Sequence, residues 1–348
     1  MDLLVPKRHA PTIEQLWASA AAGRLPHALF FEGPEGVGKA LSARWFAAGL
    51  LCAEGPGRPC GACGPCRRVT SGGEQSNHPD LFVLDAAGEE TIKVGRIAER
   101  DDSKDTGSVE GFLEKRAVEG RWRPVLLFDA ERMNTAAQNA LLKTLEEPRP
   151  GTVLVLVTHR VDALLTTILS RVVRVRFDAL EAGDCANILR AEGLEPDEAA
   201  LVARWAEGSP GGALRLAREG AIEFAALIQK ALDGDGSPFA LARALWEVEG
   251  EFGGATPTAK ARARARAILS IGLRILRDRG RRSAGLAPAV LPFGDVLGSP
   301  DTQARDALRL EAAFRGRADV DRNLAPEAVL ERVLVAFANP EPGSPTLA

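Results

Sequence analysis

Apolar residues along the first half of the chain fall into two alternating patterns. Ala28-Leu-Phe-Phe31, Val125-Leu-Leu-Phe128 and Val153-Leu-Val-Leu-Val157 are short continuous runs, as expected of strands buried on both faces. His78-Pro-Asp-Leu-Phe-Val-Leu84 reads as a turn into a further strand, and residues 172–175 as a fifth. Between the strands the spacing turns helical. Ile13, Leu16 and Trp17 predict a helix over 11–22, an Ala- and Leu-rich stretch predicts one over 41–51, and Ile92, Gly95 and Ile97 predict one over 91–100. Over 135–146, Ala136, Ala137, Ala140, Leu141 and Leu145 form an apolar stripe that Asn134 can cap and Pro148 stops. Residues 164–171 read as a short helical stretch. Strands alternating with helices predict an α/β domain with a mostly parallel sheet covered on both faces.

Past residue 178 the strand pattern gives way to helical spacing alone, over 184–192, 197–206, 222–232, 238–248, 258–279, 301–314 and 325–337. Residues 234–238 read as a loop and the tail from Pro340 as disorder. The Lys260–Arg266 run and the cluster from Arg277 to Arg282 offer a DNA contact, but alternate arginines cannot share one helical face, so a solvated helix is the expectation.

The strongest chemical signal is Gly33-Pro-Glu-Gly-Val-Gly-Lys-Ala40, which has the phosphate-loop spacing GxxxxGK between a predicted strand and a predicted helix. In such a loop Gly33, Gly36 and Gly38 let backbone N–H groups turn toward phosphates, and Lys39 brings a charge to the outer ones. The next residue should be Ser or Thr to hold the nucleotide's magnesium, and here it is Ala40, whose methyl group ligates nothing. The plain alternative is a Gly-rich strand-to-helix turn without a ligand. Asp129 ends the 125–129 run where a second acidic element would meet magnesium. The water-polarising glutamate expected after it is replaced by Ala130, with Glu131 displaced by one; in an extended chain the displaced residue faces the other way.

Cys52, Cys60, Cys63 and Cys66 follow the C-x7-C-x2-C-x2-C pattern within Gly- and Pro-rich sequence that permits tight turns, and four thiolates suit tetrahedral zinc. Disulfides, disfavoured in a reducing cytosol, and an iron–sulfur cluster are the alternatives. Cys185 lies apart in a predicted helix and reads as a small buried hydrophobe. A net charge of −3 over 348 residues excludes a globally basic nucleic-acid binder and leaves only local patches. Neither a signal-peptide core nor an apolar run of membrane-spanning length is found, so the expectation is a cytosolic protein that makes no membrane contact.

Together Arg24-Leu-Pro-His-Ala28, the GxxxxGK loop, the four cysteines, His78-Pro-Asp80, Asn139-Ala-Leu-Leu-Lys-Thr-Leu-Glu-Glu-Pro148 and residues 164–171 resemble bacterial clamp-loader subunits of DNA polymerase III. That family holds ATP-hydrolysing gamma/tau subunits and delta-prime subunits of the same fold. Its active members carry GKT or GKS, DE, and an arginine in a GSxR-type motif, where this chain has Ala40, Ala130 and Gly211. Ser170-Arg171 keeps part of the family's SRC motif, with Val172 in place of the cysteine. The likeness is therefore to delta-prime subunits. It implies a P-loop ATPase-like α/β domain over residues 1–178 with a zinc module at 52–66, a small helical lid domain over 179–219, an all-α collar over 220–340 and a tail at 341–348. It also implies partnership with gamma/tau and delta subunits, the sliding clamp and, through the assembly, primed DNA. Structural zinc is the implied cofactor, while ATP with magnesium in this chain is put in doubt by the departures. Arg171 would act in trans, as the family's SRC arginine reaches a neighbour's ATP; on the residues alone it would pair with a carboxylate at its own domain edge. A gamma/tau-type ATPase is the alternative reading. A zinc-dependent nucleic-acid-binding module is a third, with only Arg58, Arg67 and Arg68 to supply a basic surface near the cysteines.

Overall fold

Five strands, β1 (Ala28–Glu32), β2 (Phe82–Leu84), β3 (Arg123–Leu127), β4 (Thr152–Thr158) and β5 (Val173–Arg176), pair in parallel in the order β2-β3-β4-β1-β5. The computed structural model describes residues 8–71, 77–86, 91–98, 107–254, 256–286 and 300–340. It divides into two compact units, Met1–Leu180 and Glu181–Ala348. β1, β3 and β4 are buried at every position, which explains why they read as unbroken apolar runs. Side chains of β1 alternate between two cores. Leu29 and Phe31 join α1 (Ala10–Ala21) and α2 (Lys39–Leu51) on one face, and Ala28 and Phe30 join α5 (Thr135–Glu146) on the other.

Because β1 lies between β4 and β5, the loop after it leaves from the middle of the sheet. Glu32 is in register with Thr158 on one side and Arg176 on the other. The ends of β1, β3 and β4 thus share one carboxyl edge, where open α/β sheets place their ligand crevice. Backbone pairing continues past β5, with Phe177 N–H donating to Glu32 O at 2.8 Å. This brings Phe177 against the first loop glycine: a Cβ on Gly33 would stand 2.0 Å from Phe177 O, and Gly33 has φ 148°.

The helix predicted over 91–100 is not formed in its described part, residues 91–98. Ile92 makes a parallel bridge to Met133, with its N–H bonded to Arg132 O at 2.8 Å and its O accepting from Asn134 N–H at 3.2 Å, so the backbone there is already committed to an extended pairing. Only a 3-10 turn, Val94–Arg96, follows. The acidic stretch 99–105, which the sequence reads as a solvated turn, lies outside the described residues. Two short helices escaped the periodicity, α3 (Gly64–Ser71) and α4 (Val109–Glu114), being too brief to show a stripe. α6 (Thr166–Leu169) is the short helix expected before β5.

Among its described residues the second unit has helices and no strand. α7 (Ala182–Ala191), α8 (Pro196–Trp205) and α9 (Pro210–Arg218) pack on one another. So do α10 (Ala221–Asp233), α11 (Pro238–Glu247), α12 (Pro257–Ser283), α13 (Pro300–Asp321) and α14 (Pro326–Ala338). Arg309 of α13 is buried and donates to Phe337 O, Leu232 O and Asp306 at 2.7–2.8 Å, closing the ends of α10 and α14 with a paired charge. The arginine run of α12 is only in part the solvated face expected of it, with Lys260 and Arg266 exposed. Arg264 lies half-buried over the Phe252 ring at 4.6 Å, and Arg266 pairs with Asp321 at 2.8 Å. No helix among the described residues is long and apolar enough to cross a membrane.

The Gly33 contact yields a direct test. Gly33→Ala should lower the stability of the sheet unit by about 2 kcal/mol or more, through overlap with Phe177 and left-handed strain. Thermal unfolding followed by circular dichroism should show a drop of at least roughly 4 °C.

Candidate functional site

Gly36 and Gly38 adopt φ of 74° and 99°, conformations that glycine reaches without cost and that turn the loop back on itself. Gly38 is the N-cap of α2, so Lys39 and Ala40 form its first turn. Lys39 is buried, and its ammonium donates to Gly33 O at 2.7 Å and Pro34 O at 2.5 Å. The lysine is therefore turned onto the carbonyls of its own loop. Burial pushes its pKa down, while Glu131, Glu35 and Asp129 act to raise it. His9, absent from the sequence reading, covers the back of the loop: its Nε2 lies 3.2 Å from Val37 O and its ring 4.6 Å from that of Phe177. His27, by contrast, is used structurally: its Nε2 lies at hydrogen-bond distance, 3.0 Å, from Leu145 O at the end of α5.

At the end of β3 the chain turns sharply. Asp129 has φ 49° and residues Ala130–Arg132 form a 3-10 turn, so the strand alternation expected of Glu131 does not apply. Ala130 is completely buried in the core under α5. Glu131 instead reaches the tip of β4, where Thr158 Oγ1 donates to it at 2.6 Å and His159 Nδ1 lies 2.9 Å away. Asp129, whose carboxylate is 3.6 Å from Arg132 Nε, has its pKa raised by burial, with Glu131 and Asp85 adding to the rise. Neither Thr158 nor His159 was singled out in the sequence; only their position at the end of a buried strand beside β1 could have pointed to them.

Glu32, the last residue of β1, is a further unanticipated acid. It is buried and accepts from Arg174 Nε and Nη2 at 2.9 and 2.5 Å.

Arg171 follows the cap of α6 on the exposed surface. It donates to Thr167 O at 2.9 Å and pairs with Glu146 at 2.8 Å, a carboxylate at its own domain edge. Both partners are substantially exposed, and such pairs are worth about 0–1 kcal/mol, so the arginine is easily recruited elsewhere. Its approach is set by Gln138, which donates to Met133 O and Ala163 O and accepts from Leu165 N–H at 2.8 Å, bolting the segment before α6 to α5. In the second unit Gly211 sits in the first turn of α9, where Ser209 Oγ caps Gly212 N–H at 3.0 Å, and it carries no side chain to reach a phosphate.

The four cysteines converge. Cys52 is the C-cap of α2, Cys60 and Cys63 flank a turn at Gly61 (φ 73°), and Cys66 lies in the first turns of α3. Their sulfurs all lie within 4.8 Å of one another, a donor set able to hold a metal ion. A tetrahedral zinc with bonds of about 2.3 Å needs sulfurs about 3.8 Å apart, a small contraction of this cluster. Cys63 N–H points at Cys60 Sγ and Cys66 N–H at Cys63 Sγ, both at 3.4 Å, the bonding that stabilises thiolates. Burial raises the Cys63 thiol, but bonds from the Ala53 and Cys66 backbone outweigh it and bring the pKa down to about 6. Burial pushes Cys52 and Cys66 up. Cys185 is buried elsewhere, as expected.

The cysteine module is tied to the sheet unit through the His-Pro-Asp turn. Asp80 is fully buried and accepts from Val118 and Glu119 N–H at 2.7 and 2.8 Å. Glu119 in turn pairs with Arg68 of α3 and lies 3.7 Å from His78.

Comparison with known proteins agrees with these features. The family model described as DNA polymerase III, delta subunit, matches residues 8–181. The DNA polymerase III subunit delta' of Bacillus subtilis is 34% identical over 188 residues, 54% of this chain and 53% of that protein. The subunit delta' of Pseudomonas aeruginosa is 41% identical over 167 residues, 47% of each. DNA polymerase III subunit tau of Escherichia coli is 35% identical over 201 residues, 56% of this chain and 29% of tau. The chain thus spans about half the length of the delta-prime relatives it matches. The family match covers the parallel sheet, the phosphate loop, the cysteine cluster and Arg171, and by it the chain belongs to the DNA polymerase III delta-prime family.

Proposed function

We propose that this chain is the delta-prime subunit of a DNA polymerase III clamp loader: it helps open the sliding clamp and place it on primed DNA while neighbouring gamma/tau subunits hydrolyse ATP. It does not hydrolyse ATP itself. The observation that carries this reading is the division of the ATPase parts. Ala40, Ala130 and Gly211 stand where an active subunit needs a magnesium ligand, a water-polarising carboxylate and a phosphate-binding arginine, whereas Arg171 remains at an exposed edge. The residues present do not fit magnesium-bound ATP. Ala40 offers no oxygen, and the Lys39 ammonium is spent on Gly33 O and Pro34 O.

Arg171 supplies the chain's contribution to chemistry. A planar, permanently charged guanidinium brought against a neighbour's nucleotide stabilises the charge that develops on the transferred phosphoryl group. The helices over 179–219 serve as the lid and those over 220–340 as the collar that joins subunits in a cytosolic assembly with gamma/tau and delta. Zinc held by Cys52, Cys60, Cys63 and Cys66 is structural, since all four positions of a tetrahedral ion are taken by protein sulfur. The tau relative and the intact Gly33, Gly36, Gly38, Lys39 and Asp129 favour a second reading, an ATP-hydrolysing gamma/tau-type subunit.

Two measurements separate these readings, and a third tests the metal assignment. The purified chain should show no ATP turnover above background; turnover abolished by Lys39→Ala would overturn the proposal. In a reconstituted clamp loader, Arg171→Ala should leave assembly intact and remove part of the DNA- and clamp-stimulated ATPase. Loss of a finger costs about 10³–10⁵ at the site it serves, and only one site among several is affected. Arg160→Ala, an exposed neighbour paired with Asp162, should leave that rate unchanged. Elemental analysis should find a single zinc per chain, lost in Cys63→Ser with loosening of residues 52–71; structural zinc typically contributes about 10–16 kcal/mol. Protein purified under reductant without zinc would refute the metal assignment.

A further inference from the structure

An arginine that serves a neighbouring site needs a fixed backbone and a movable head, and α5 touches Arg171 in both respects. The guanidinium pairs with Glu146, the last residue of α5, in an exposed contact that is readily exchanged. About two turns nearer the start of the same helix lies Gln138, which is buried, with 4% of its surface exposed, and uses both ends of its amide. Nε2 donates to Met133 O at 3.0 Å and to Ala163 O at 3.1 Å, and Oε1 accepts from Leu165 N–H at 2.8 Å. Met133 closes the turn after β3, Ala163 ends a 3-10 turn after β4, and Leu165 is the N-cap of α6. One side chain therefore ties three segments together at the point where α6 begins. α6 itself is a four-residue helix, and its bonding runs on into the arginine: Ser170 N–H donates to Thr166 O at 3.0 Å and Arg171 N–H to Ile168 O at 2.9 Å. A shift of Leu165 is thus passed to Arg171 with no loop between them to absorb it. Leu164 and Ile168 are buried in the same core as α5. Apolar contact of that kind sets depth without direction, whereas three hydrogen bonds fix position and rotation.

We propose that Gln138 is a positioning residue for Arg171: it fixes the start of α6 so that the arginine just past its end meets a neighbouring subunit's nucleotide in one geometry. The inference rests on the reading that Arg171 serves a neighbour's site, and it adds the residue that aims it. The task calls for an amide. An ionised glutamate would accept from Leu165 N–H but donate to neither carbonyl, and methionine would fill the space while leaving Met133 O, Ala163 O and Leu165 N–H without their partner. Groups stripped of a buried partner drive the segment toward water, which moves α6 and the arginine with it. A misplacement of about 1 Å can cost on the order of 10²-fold at the site served.

The test uses the full chain, alone and in a reconstituted clamp loader, with Gln138→Met, Arg171→Ala and the double variant. In the assembly Gln138→Met should leave the KM for ATP unchanged and lower kcat of the DNA- and clamp-stimulated hydrolysis, losing most of the share that Arg171→Ala removes. The double variant should be no slower than Arg171→Ala alone, because a positioning residue has nothing left to position. In the isolated chain, hydrogen exchange at the amides of Leu165 and of residues 168–171 should quicken in Gln138→Met while those of β1 and β4 keep their protection. Gln138→Ser, which admits water to the freed groups, takes the place of Gln138→Met should that variant not fold. A raised KM, a double variant slower than Arg171→Ala, or unchanged exchange at residues 168–171 overturns the inference. A lower rate in Arg171→Ala with a normal rate in Gln138→Met removes the positioning role alone, whereas a normal rate in Arg171→Ala removes the neighbour-site reading and the positioning role together.

Discussion

The arrangement depends on one constraint, the burial of β1 between β4 and β5. A five-residue strand hidden at every position is fixed in register, because a shift by one residue would exchange Leu29 and Phe31 with Ala28 and Phe30 between two differently shaped cores and take buried Glu32 away from Arg174. That register sets Glu32 beside Thr158 and Arg176 and carries the chain into Gly33 directly under Phe177 O. Everything of chemical interest on the carboxyl edge follows from it: the loop, the turn after β3 that presents Glu131, and the end of β4 that receives it. The scaffold of a phosphate-binding site is thus preserved by packing alone. What it does chemically is decided by a few side chains that packing leaves free to change.

Those side chains sort by burial. Lys39, Glu32 and the carboxylate end of Glu131 are withdrawn from water, where a charge is tolerated only beside a partner, and each has partners within its own unit. Arg171 lies at the surface in a pair that contributes little and exchanges freely. On the proposed reading, the loop whose lysine turns onto its own carbonyls and the weakly paired arginine are the complementary halves of a subunit that serves a neighbour's site. The cysteine module stands outside this logic. It begins where α2 ends, and it is anchored through Arg68, Glu119 and the buried Asp80, so its cohesion and that of the sheet rest on separate interactions.

Much of this was readable from the residues. Continuous apolar runs located the buried strands, the GxxxxGK spacing located the loop, and cysteine spacing within Gly- and Pro-rich turns anticipated the sulfur cluster. The failures share a cause, which is backbone committed by tertiary pairing. Ile92 and Ile97 sit at helical spacing, yet the bridge from Ile92 to Met133 holds the segment extended. Glu131 was read as strand, yet the left-handed Asp129 starts a turn that aims it at Thr158. The Arg264 contact with Phe252 and the Arg171 pair with Glu146 join residues distant in sequence, and no periodicity announces them.

The most direct test of the account is a structure of the assembled clamp loader with a non-hydrolysable ATP analogue. It should show Arg171 released from Glu146, with its guanidinium within about 3 Å of phosphate oxygens on nucleotide bound by a neighbouring subunit. Lys39 should remain on Gly33 O and Pro34 O. Nucleotide in this chain's own loop with Lys39 on its phosphates, and Arg171 still paired to Glu146, would contradict it.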